Sequence, residues 1–341
     1  MKNILFTTLF LSLFQVGFNN NIIAQAAESV EITGKLAQKF AAGITEADLK
    51  TQLYIIASDE FEGRNTGEPG QKLAAEYLKD FYMSRNIASP LGESNYFQII
   101  STEHLSRNLK PSENVVAFIK GSEKPDEIVV ISAHYDHLGM DEDGEIYNGA
   151  DDDGSGTVAV MAIAEAFQKA VEEGNGPKRS ILFLHFTGEE KGLLGSKYYV
   201  NFPIFPLANT VSNLNIDMIG RSDDAHENDP NYVYLIGSDK LSSELHELSE
   251  EMNNKFTKIN LDYTYNLDSD PNRFYYRSDH YNFAKNNIPV IFYFNGTHEN
   301  YHRTSDTPDK INYELLAKRT QLVFYTAWEI ANREKRITVD K

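Results

Sequence analysis

The chain has 341 residues, of which 41% are hydrophobic and 24% charged, a composition typical of a globular protein with a large core. Its formal net charge of −18 argues against binding to nucleic acid or to anionic lipid, because like charges repel. The chain has no cysteine, which excludes disulfides, thiolate ligands and a cysteine nucleophile, so any metal must be held by His, Asp and Glu.

Residues 1–26 predict a secretory signal peptide. Lys2 precedes the apolar run ILFTTLFLSLF (4–14), and the small-residue site Ala24-Gln25-Ala26 follows it. This run is shorter than the ~20 residues that a bilayer span needs, so we expect no stable membrane anchor. The sequence therefore predicts an exported protein, either periplasmic or extracellular.

Helical and strand patterns alternate along the rest of the chain. Apolar residues at three- and four-residue spacing predict helices over 46–58 and 70–86, joined by the turn FEGRNTGEPG (61–70). Strands are predicted over 114–121, 127–137, 180–190, 212–220, 232–237 and 288–294, and further helices over 156–174, 192–202, 241–256 and 312–334. Continuous apolar strands between helices favour an α/β domain whose sheet is covered on both faces. Residues 258–278 are expected to form a loop, and no linker or repeat divides 27–341, which favours one domain.

Metal-capable residues follow three of the predicted strands. His134 and Asp136 end the strand at 127–137, Glu189 and Glu190 end the strand at 180–190, and Asp217 lies near the end of the strand at 212–220. In open α/β sheets the ligand site lies beyond the carboxyl ends of the strands. We therefore expect these side chains to share one site.

The stretch NGADDDGSG (148–156) places Asp151, Asp152 and Asp153 in a row between glycines. By itself it is typical of a solvated turn, and the alternative is that a cation holds the carboxylates. Its D-x-D-x-S-G pattern resembles the start of an EF-hand calcium loop, but the twelfth position is Ala162 instead of Glu. We therefore reject the calcium loop.

The candidate ligands are two imidazoles and three carboxylates, a set that suits zinc better than calcium. They are His134, one aspartate of the run, Glu190, Asp217 and His302. Five ligands are too many for one catalytic zinc with an open position. They suit two ions that share a bridging carboxylate.

At these residues the sequence resembles the co-catalytic zinc aminopeptidase family, which also contains glutamate carboxypeptidases and glutaminyl cyclases. The motifs AHYDH, NGADDDGSG, FTGEEKGLLGS, NIDMIG and YHRTSDT occur in the family's order over residues 133–306. The resemblance implies a three-layer α/β/α sandwich with a mixed, mostly parallel central sheet, and a single zinc peptidase domain over 27–341.

Carried over residue by residue, the resemblance implies two Zn²⁺ per chain. His134 and Asp217 would bind one zinc, Glu190 and His302 the other, and Asp152 would bridge them. The peptide bond between Asp152 and Asp153 would be cis, as is typical of the family.

The resemblance also implies roles around the metals. Glu189 would be the general base that takes a proton from a bridging water, and Tyr301 a donor to the tetrahedral oxyanion. Asp136 would orient the His134 imidazole through its other ring nitrogen. Arg277 is a candidate for the wall of the substrate pocket, as are the neighbouring aromatic residues Tyr263, Tyr265, Phe274 and Tyr276.

These roles imply a secreted metallo-exopeptidase that acts on peptides, with an aminopeptidase as the leading hypothesis. A carboxypeptidase or dipeptidase of the same fold remains open, and so does a glutaminyl cyclase, which uses a similar set of residues with a single zinc. A non-catalytic binding protein is disfavoured, because every expected ligand and the base are present.

Overall fold

Eight strands form the central sheet of the computed structural model, which describes residues 34–106 and 108–341. The predicted signal peptide (1–26) lies outside the described residues. The strands of this sheet are β1 Phe97–Ile100, β2 Ser112–Ile119, β3 Lys124–His134, β6 Arg179–Phe186, β7 Thr210–Ile216, β8 Tyr232–Ile236, β9 Asn260–Asp262 and β10 Val290–Phe294. A separate small hairpin consists of β4 Gly139–Met140 and β5 Ile146–Tyr147.

The sheet is mixed, with a parallel centre. Its strand order is β1-β2-β6-β3-β7-β10-β8-β9, and β6, β3, β7 and β10 run parallel to one another. β2 pairs antiparallel with β6, and β8 pairs antiparallel with β10. The carboxyl ends of the four central strands therefore lie at one edge, and the α/β fold with a mixed, mostly parallel sheet is confirmed.

Helices cover both faces of the sheet. One face packs against α1 (described residues 34–41), α2 Glu46–Ile56, α3 Pro69–Ser84, α4 Gly156–Glu172, α6 Ser243–Met252 and α8 Tyr313–Asn332. The other face packs against α5 Leu194–Asn201 and α7 His280–Ala284. Burial of each large aliphatic side chain contributes about 1.5–3 kcal/mol, so the two covered faces supply most of the stabilisation.

The central strand β3 shows why the apolar runs predicted the sheet. Val129 and Ile131 pack into the core on the α4 and α8 face, whereas Ile128 and Val130 pack into the core on the α5 and α7 face. Side chains alternate between the faces of a strand, so a strand covered on both faces is apolar at every position.

Two edge strands were not predicted from the sequence. β1 is four residues long, with Ile99 exposed, and β9 is three residues long within the stretch expected to be a loop. Short edge strands lack the continuous apolar run of the central strands. No helix in the described part of the chain is long and apolar enough to cross a bilayer.

Two buried histidines on the sheet and its covering helix lie away from the candidate ligands. His185 on β6 is 2.6 Å from the Tyr82 hydroxyl through Nε2, and His280 on α7 stacks on Phe292. Burial lowers the pKa of each to about 3. Each is therefore neutral in the native protein at neutral pH.

We predict that these histidines make the protein sensitive to mild acid. Above pH 6.5 their effect is absent; as pH falls from 6.5 towards 3, the unfolded chain binds protons that the native state excludes, so stability falls by up to ~1.4 kcal/mol per pH unit for each histidine. Urea unfolding at pH 7.0 and 5.5 measures this. Between pH 7.0 and 5.5 the free energy of unfolding of His185→Gln should fall by about 1.4 kcal/mol less than that of the wild type. The control is His246→Gln, at a more exposed histidine, which should lose as much stability between the two pH values as the wild type does. If His185→Gln also loses as much stability as the wild type, the prediction is wrong.

Candidate metal centre

The carboxyl edge of the parallel strands brings the predicted ligands together. His134 is the last residue of β3, and Asp217 directly follows β7. Glu189 and Glu190 lie in the turn after β6, and His302 lies in the loop after β10. The predicted ligands, which are far apart in the chain, thus lie together at one edge of the sheet, as expected.

The carboxylate of Asp152 lies between two sets of side chains. Its Oδ1 is 3.3 Å from Nε2 of His134, and that nitrogen is 3.7 Å from Oδ1 of Asp217. Its Oδ2 is 3.0 Å from Nε2 of His302, and that nitrogen is 3.3 Å from Oε2 of Glu190. Asp152 therefore has one oxygen directed to each set, which is the arrangement a bridging carboxylate requires.

The other two aspartates of the run are occupied by hydrogen bonds to the protein. Asp153 accepts backbone N–H bonds from His134, Gly156 and Met218 at 2.9–3.2 Å. Asp151 accepts from the backbone of Gly220 and lies 3.1 Å from the ring of His298. Asp152 has one oxygen directed to each of the two sets, and an oxygen of Asp153 also lies close to His134 and Asp217. The aspartate run is therefore buried and held by hydrogen bonds within the protein, and it carries a candidate metal ligand. It is not a solvated turn. The Asp152–Asp153 peptide bond is cis, as expected.

Two buried side chains hold the aspartate run in place. Asp306, beyond His302 in the chain, accepts hydrogen bonds from the backbone N–H groups of Asp151 and Asp152. Arg64 donates to the carbonyl oxygens of Ile56, Tyr135, Asn148 and Gly149 at 2.7–2.9 Å. Burial lowers the pKa of Arg64 to about 10, although nearby aspartates oppose the shift, so the guanidinium remains charged at neutral pH.

His137 was missed by the sequence analysis. It is fully buried, and its Nδ1 is 2.8 Å from Oε1 of Glu190 and 3.9 Å from Oδ2 of Asp152. Together these three residues form a group whose donor atoms lie close enough to hold one ion. His137 is the last residue of the motif AHYDH, from which His134 and Asp136 were predicted, and its place in that motif was the only sign of its role in the sequence.

Unpartnered polar atoms show that the cluster fits a cation. Oδ2 of Asp152, Oε1 of Glu190 and both ring nitrogens of His137 are buried and have no aligned hydrogen-bond partner among the described residues. Buried polar groups left unpaired are costly, so such atoms usually belong to a ligand site. Two imidazole-and-carboxylate sets fit zinc or a similar divalent ion.

The charges of the cluster shift its pKa values in opposite directions. Burial lowers the pKa of His302, but Asp152 and Glu190 outweigh burial and raise it to about 10. Burial and Asp152 raise the pKa of Glu190, but His137 and His302 outweigh them and lower it to about 2. The pKa of His134 lies well above its usual value because neighbouring carboxylates outweigh its burial. Without metal, the imidazoles therefore serve as the counter-cations of the carboxylates.

Glu189 lies beside the cluster without joining either ligand set. Its Oε2 is 3.9 Å from Nε2 of His134, and burial together with the charges of Asp217 and Glu190 raises its pKa well above the ordinary value. Asp136 accepts a hydrogen bond from the backbone N–H of Glu189. The His134 Nδ1 lies 3.1 Å from the carbonyl oxygen of Asp136 and 3.8 Å from its carboxylate. Asp136 thus contacts His134 through its backbone and Glu189 through its side chain.

Tyr301 lies against the ring of His302, with ring centroids 3.8 Å apart, and both line the cleft over the cluster. Burial and the charges of Asp152, Asp217 and Glu190 raise the pKa of Tyr301, so its hydroxyl keeps its proton at neutral pH. This hydroxyl can therefore donate a hydrogen bond.

The cleft encloses about 30 Å³ and is lined by aromatic residues as well as by the acidic residues of the cluster. Of the predicted wall residues, Arg277 and Phe274 line it, with the guanidinium over the Phe274 ring. Tyr265 packs behind Phe274, Tyr276 lines a neighbouring cleft, and Tyr263 contacts His246 away from the site. Met218, Phe292, Phe294 and Thr297 also line the cleft and were not predicted from the sequence, in which the first three belong only to the predicted strands over 212–220 and 288–294.

The mixed sheet and the ligand cluster at its carboxyl edge define a zinc-exopeptidase-like α/β protein. Residues 114–327, more than half of the chain, match Peptidase family M28, and the chain belongs to this family. The resemblance inferred from the motifs is confirmed.

The individual relatives and solved structures described next share only 17–27% sequence identity with this chain. A probable zinc metalloprotease of Pyricularia oryzae is 27% identical over 272 residues, which cover 67% of this chain and 52% of that protein. The chain spans 45–60% of the length of the first three curated relatives. The LapA aminopeptidase of Legionella pneumophila is 21% identical with a TM-score of 0.68, over 89% of this chain and 76% of that one. The glutaminyl cyclase of Porphyromonas gingivalis is 17% identical with a TM-score of 0.65, over 83% and 97%. These two structures show the fold alone.

We predict that Arg64→Lys destabilises the protein and weakens metal binding. A lysine cannot reach all four carbonyl oxygens, so buried acceptors are left unpaired, at a cost of about 2–4 kcal/mol. Denaturant unfolding and a zinc titration measure both effects. Arg85→Lys, at a partly exposed ion pair with Glu165, is the matched control and should cost less than ~1 kcal/mol. An Arg64→Lys variant as stable as this control would contradict the role of Arg64.

Proposed function

We propose that this protein is an exported metallo-exopeptidase, an aminopeptidase that hydrolyses the N-terminal peptide bond of peptides with two zinc ions. The observation that supports this most directly is the carboxylate of Asp152, which has one oxygen directed to His134 and Asp217 and the other to Glu190 and His302. Membership of the peptidase family agrees with this assignment. Zinc ions bound to these two sets supply Lewis acidity and lower the pKa of an attacking water.

Glu189 is the proposed general base. Its raised pKa makes it able to hold a proton, and its position beside His134 keeps it near the site where water and peptide meet. The bond from its backbone N–H to Asp136 fixes the start of the turn that carries it. Glu189 takes a proton from water and passes it to the leaving amine.

Tyr301 is the proposed oxyanion donor. Its hydroxyl keeps its proton and shares the cleft with Glu189, so it can donate to the carbonyl oxygen as negative charge develops there. The phenylalanines and Met218 on the cleft wall suit an apolar side chain of the terminal residue.

A carboxypeptidase or dipeptidase is the second candidate, and Arg277 is the observation that favours it. Its guanidinium lines the cleft and could pair with a free carboxylate of the substrate. The aminopeptidase remains the first candidate because a relative that is 28% identical over 242 residues is named a probable leucine aminopeptidase.

The first test combines metal analysis with substrate panels. Purified protein should contain about two zincs per chain and hydrolyse aminoacyl-p-nitroanilides, with a preference for apolar residues. Chelation should abolish hydrolysis. Glu189→Gln should lower kcat by about 10²–10⁴-fold while zinc is retained, because general-base catalysis contributes this much.

Other outcomes identify the alternatives. Hydrolysis only of N-blocked peptides with a free carboxyl end would establish the carboxy-terminal specificity. One zinc, no hydrolysis and cyclisation of N-terminal glutamine peptides would establish the cyclase. Wild-type activity in Glu189→Gln would contradict the role of the base.

Zinc binding should release protons, because His302 and His134 are protonated in the metal-free protein at neutral pH. The pKa of His302 is raised to about 10, so its proton must leave before Nε2 can bind an ion, and apparent affinity should rise with pH up to that value. Calorimetric titration at pH 7 in buffers of different ionisation enthalpy should report release of about two protons for two ions. A heat of binding that is the same in all buffers would contradict this.

The proposal of export rests on residues 1–26. Expression in a Gram-negative host should yield a mature chain that begins after Ala26 in the periplasm or the medium, as N-terminal sequencing would show. Retention of residues 1–26 in the cytosol would contradict it.

A further inference from the structure

His137 is a buried imidazole with no aligned hydrogen-bond partner among the described residues. Neither ring nitrogen makes an aligned hydrogen bond, although Nδ1 is only 2.8 Å from Oε1 of Glu190. Oδ2 of Asp152, 3.9 Å from the same nitrogen and 3.0 Å from Nε2 of His302, also has no aligned hydrogen-bond partner. Three buried polar atoms without aligned hydrogen-bond partners, each able to bind a cation, thus lie close together in the interior of the protein.

The backbone around His137 holds the ring in this position. The His137 N–H donates to the carbonyl oxygen of Arg64, the residue whose guanidinium binds the carbonyl of Gly149. Gly149 has a φ of +56°, and a Cβ atom there would lie 2.5 Å from Cδ2 of His137. The ring is therefore packed against a backbone position that only glycine can occupy without strain or collision.

His137 and His302 approach the same pair of carboxylates from different directions. Their ring centroids are 6.0 Å apart with the planes inclined at 66°. The distances from the ring nitrogens of the two imidazoles to the carboxylate oxygens of Asp152 and Glu190 are 2.8–3.9 Å. Donors around a tetrahedral zinc with bonds of ~2.0–2.1 Å lie about 3.3 Å apart, so these four side chains have the spacing of a zinc ligand set.

We propose that His137 is a third imidazole ligand of the centre, binding through Nδ1 the ion held by Asp152, Glu190 and His302. This inference rests on the proposed two-zinc function and extends its ligand set beyond the five residues carried over from the family. It makes the two positions unequal. The ion at His137 has four protein donors and is closed, whereas the ion at His134, Asp152 and Asp217 has three and keeps a position open for chemistry.

X-ray absorption of the zinc-loaded wild type tests the proposal without relying on activity or on a variant. The scattering from imidazole rings, averaged over the two zincs, should correspond to a total of three histidine ligands. Two histidines shared by two zincs would overturn the proposal and would leave the two-zinc function intact. Fewer than two zincs per chain would instead contradict the proposed function.

Zinc titrations of His137→Phe and His137→Ala provide the second measurement. Phe keeps a planar ring in the space, and Ala removes it. One of the two ions should bind at least ~100-fold more weakly in both variants, since loss of an orienting contact alone costs about 10–100-fold. The other ion should bind as in the wild type. His185→Gln, at a buried histidine that contacts Tyr82 instead of the cluster, is the control and should bind two zincs with unchanged affinity. Unchanged binding of both ions in folded His137→Phe would overturn the proposal.

Discussion

The burial of carboxylates around Asp152 is the constraint on which the rest of this structure depends. Asp152, Glu190 and Asp217 lie with little exposure at one edge of the sheet, beside Glu189. Ionised carboxylates are costly to bury without compensating positive charge. Arg64 is nearby and buried, but its nitrogens are engaged with four carbonyl oxygens. In the metal-free protein the raised pKa values of His134 and His302 let these imidazoles supply positive charge, and divalent cations bound at the same points would supply more.

The same constraint explains why distant segments meet at the aspartate run. Asp306 binds the backbone N–H groups of Asp151 and Asp152, and Asp153 binds those of His134 and Met218. Each of these contacts uses a side-chain acceptor to hold a backbone segment that carries or adjoins a candidate ligand. The strands bring the segments to within a few ångströms, and these hydrogen bonds set the final distances.

The sequence predicted those parts of the protein that follow from local pattern. The central strands were found because each is apolar at every position, and most of the cluster was found because its members follow such strands. β1 and β9 were missed because short edge strands carry little of this signal. Phe292 and Phe294 were predicted only as part of the strand over 288–294, because an apolar residue that lines a cleft cannot be told from a core residue by its type. His137 was missed because its role depends on the approach of Glu190 from another strand, which sequence spacing does not reveal.

The loop after β10 links the metal centre to the proposed chemistry. It carries His302 and Tyr301, whose rings stack, and Asp306, which binds the backbone of Asp152. His302 is 37% exposed, whereas His134 and His137 are fully or almost fully buried. An ion bound between Asp152 and His302 would therefore attach this more exposed loop to the edge of the sheet. Because Tyr301 lies against His302, the same attachment would hold the proposed oxyanion donor over the cleft, and the proposed metal site and the proposed chemistry would then depend on one loop.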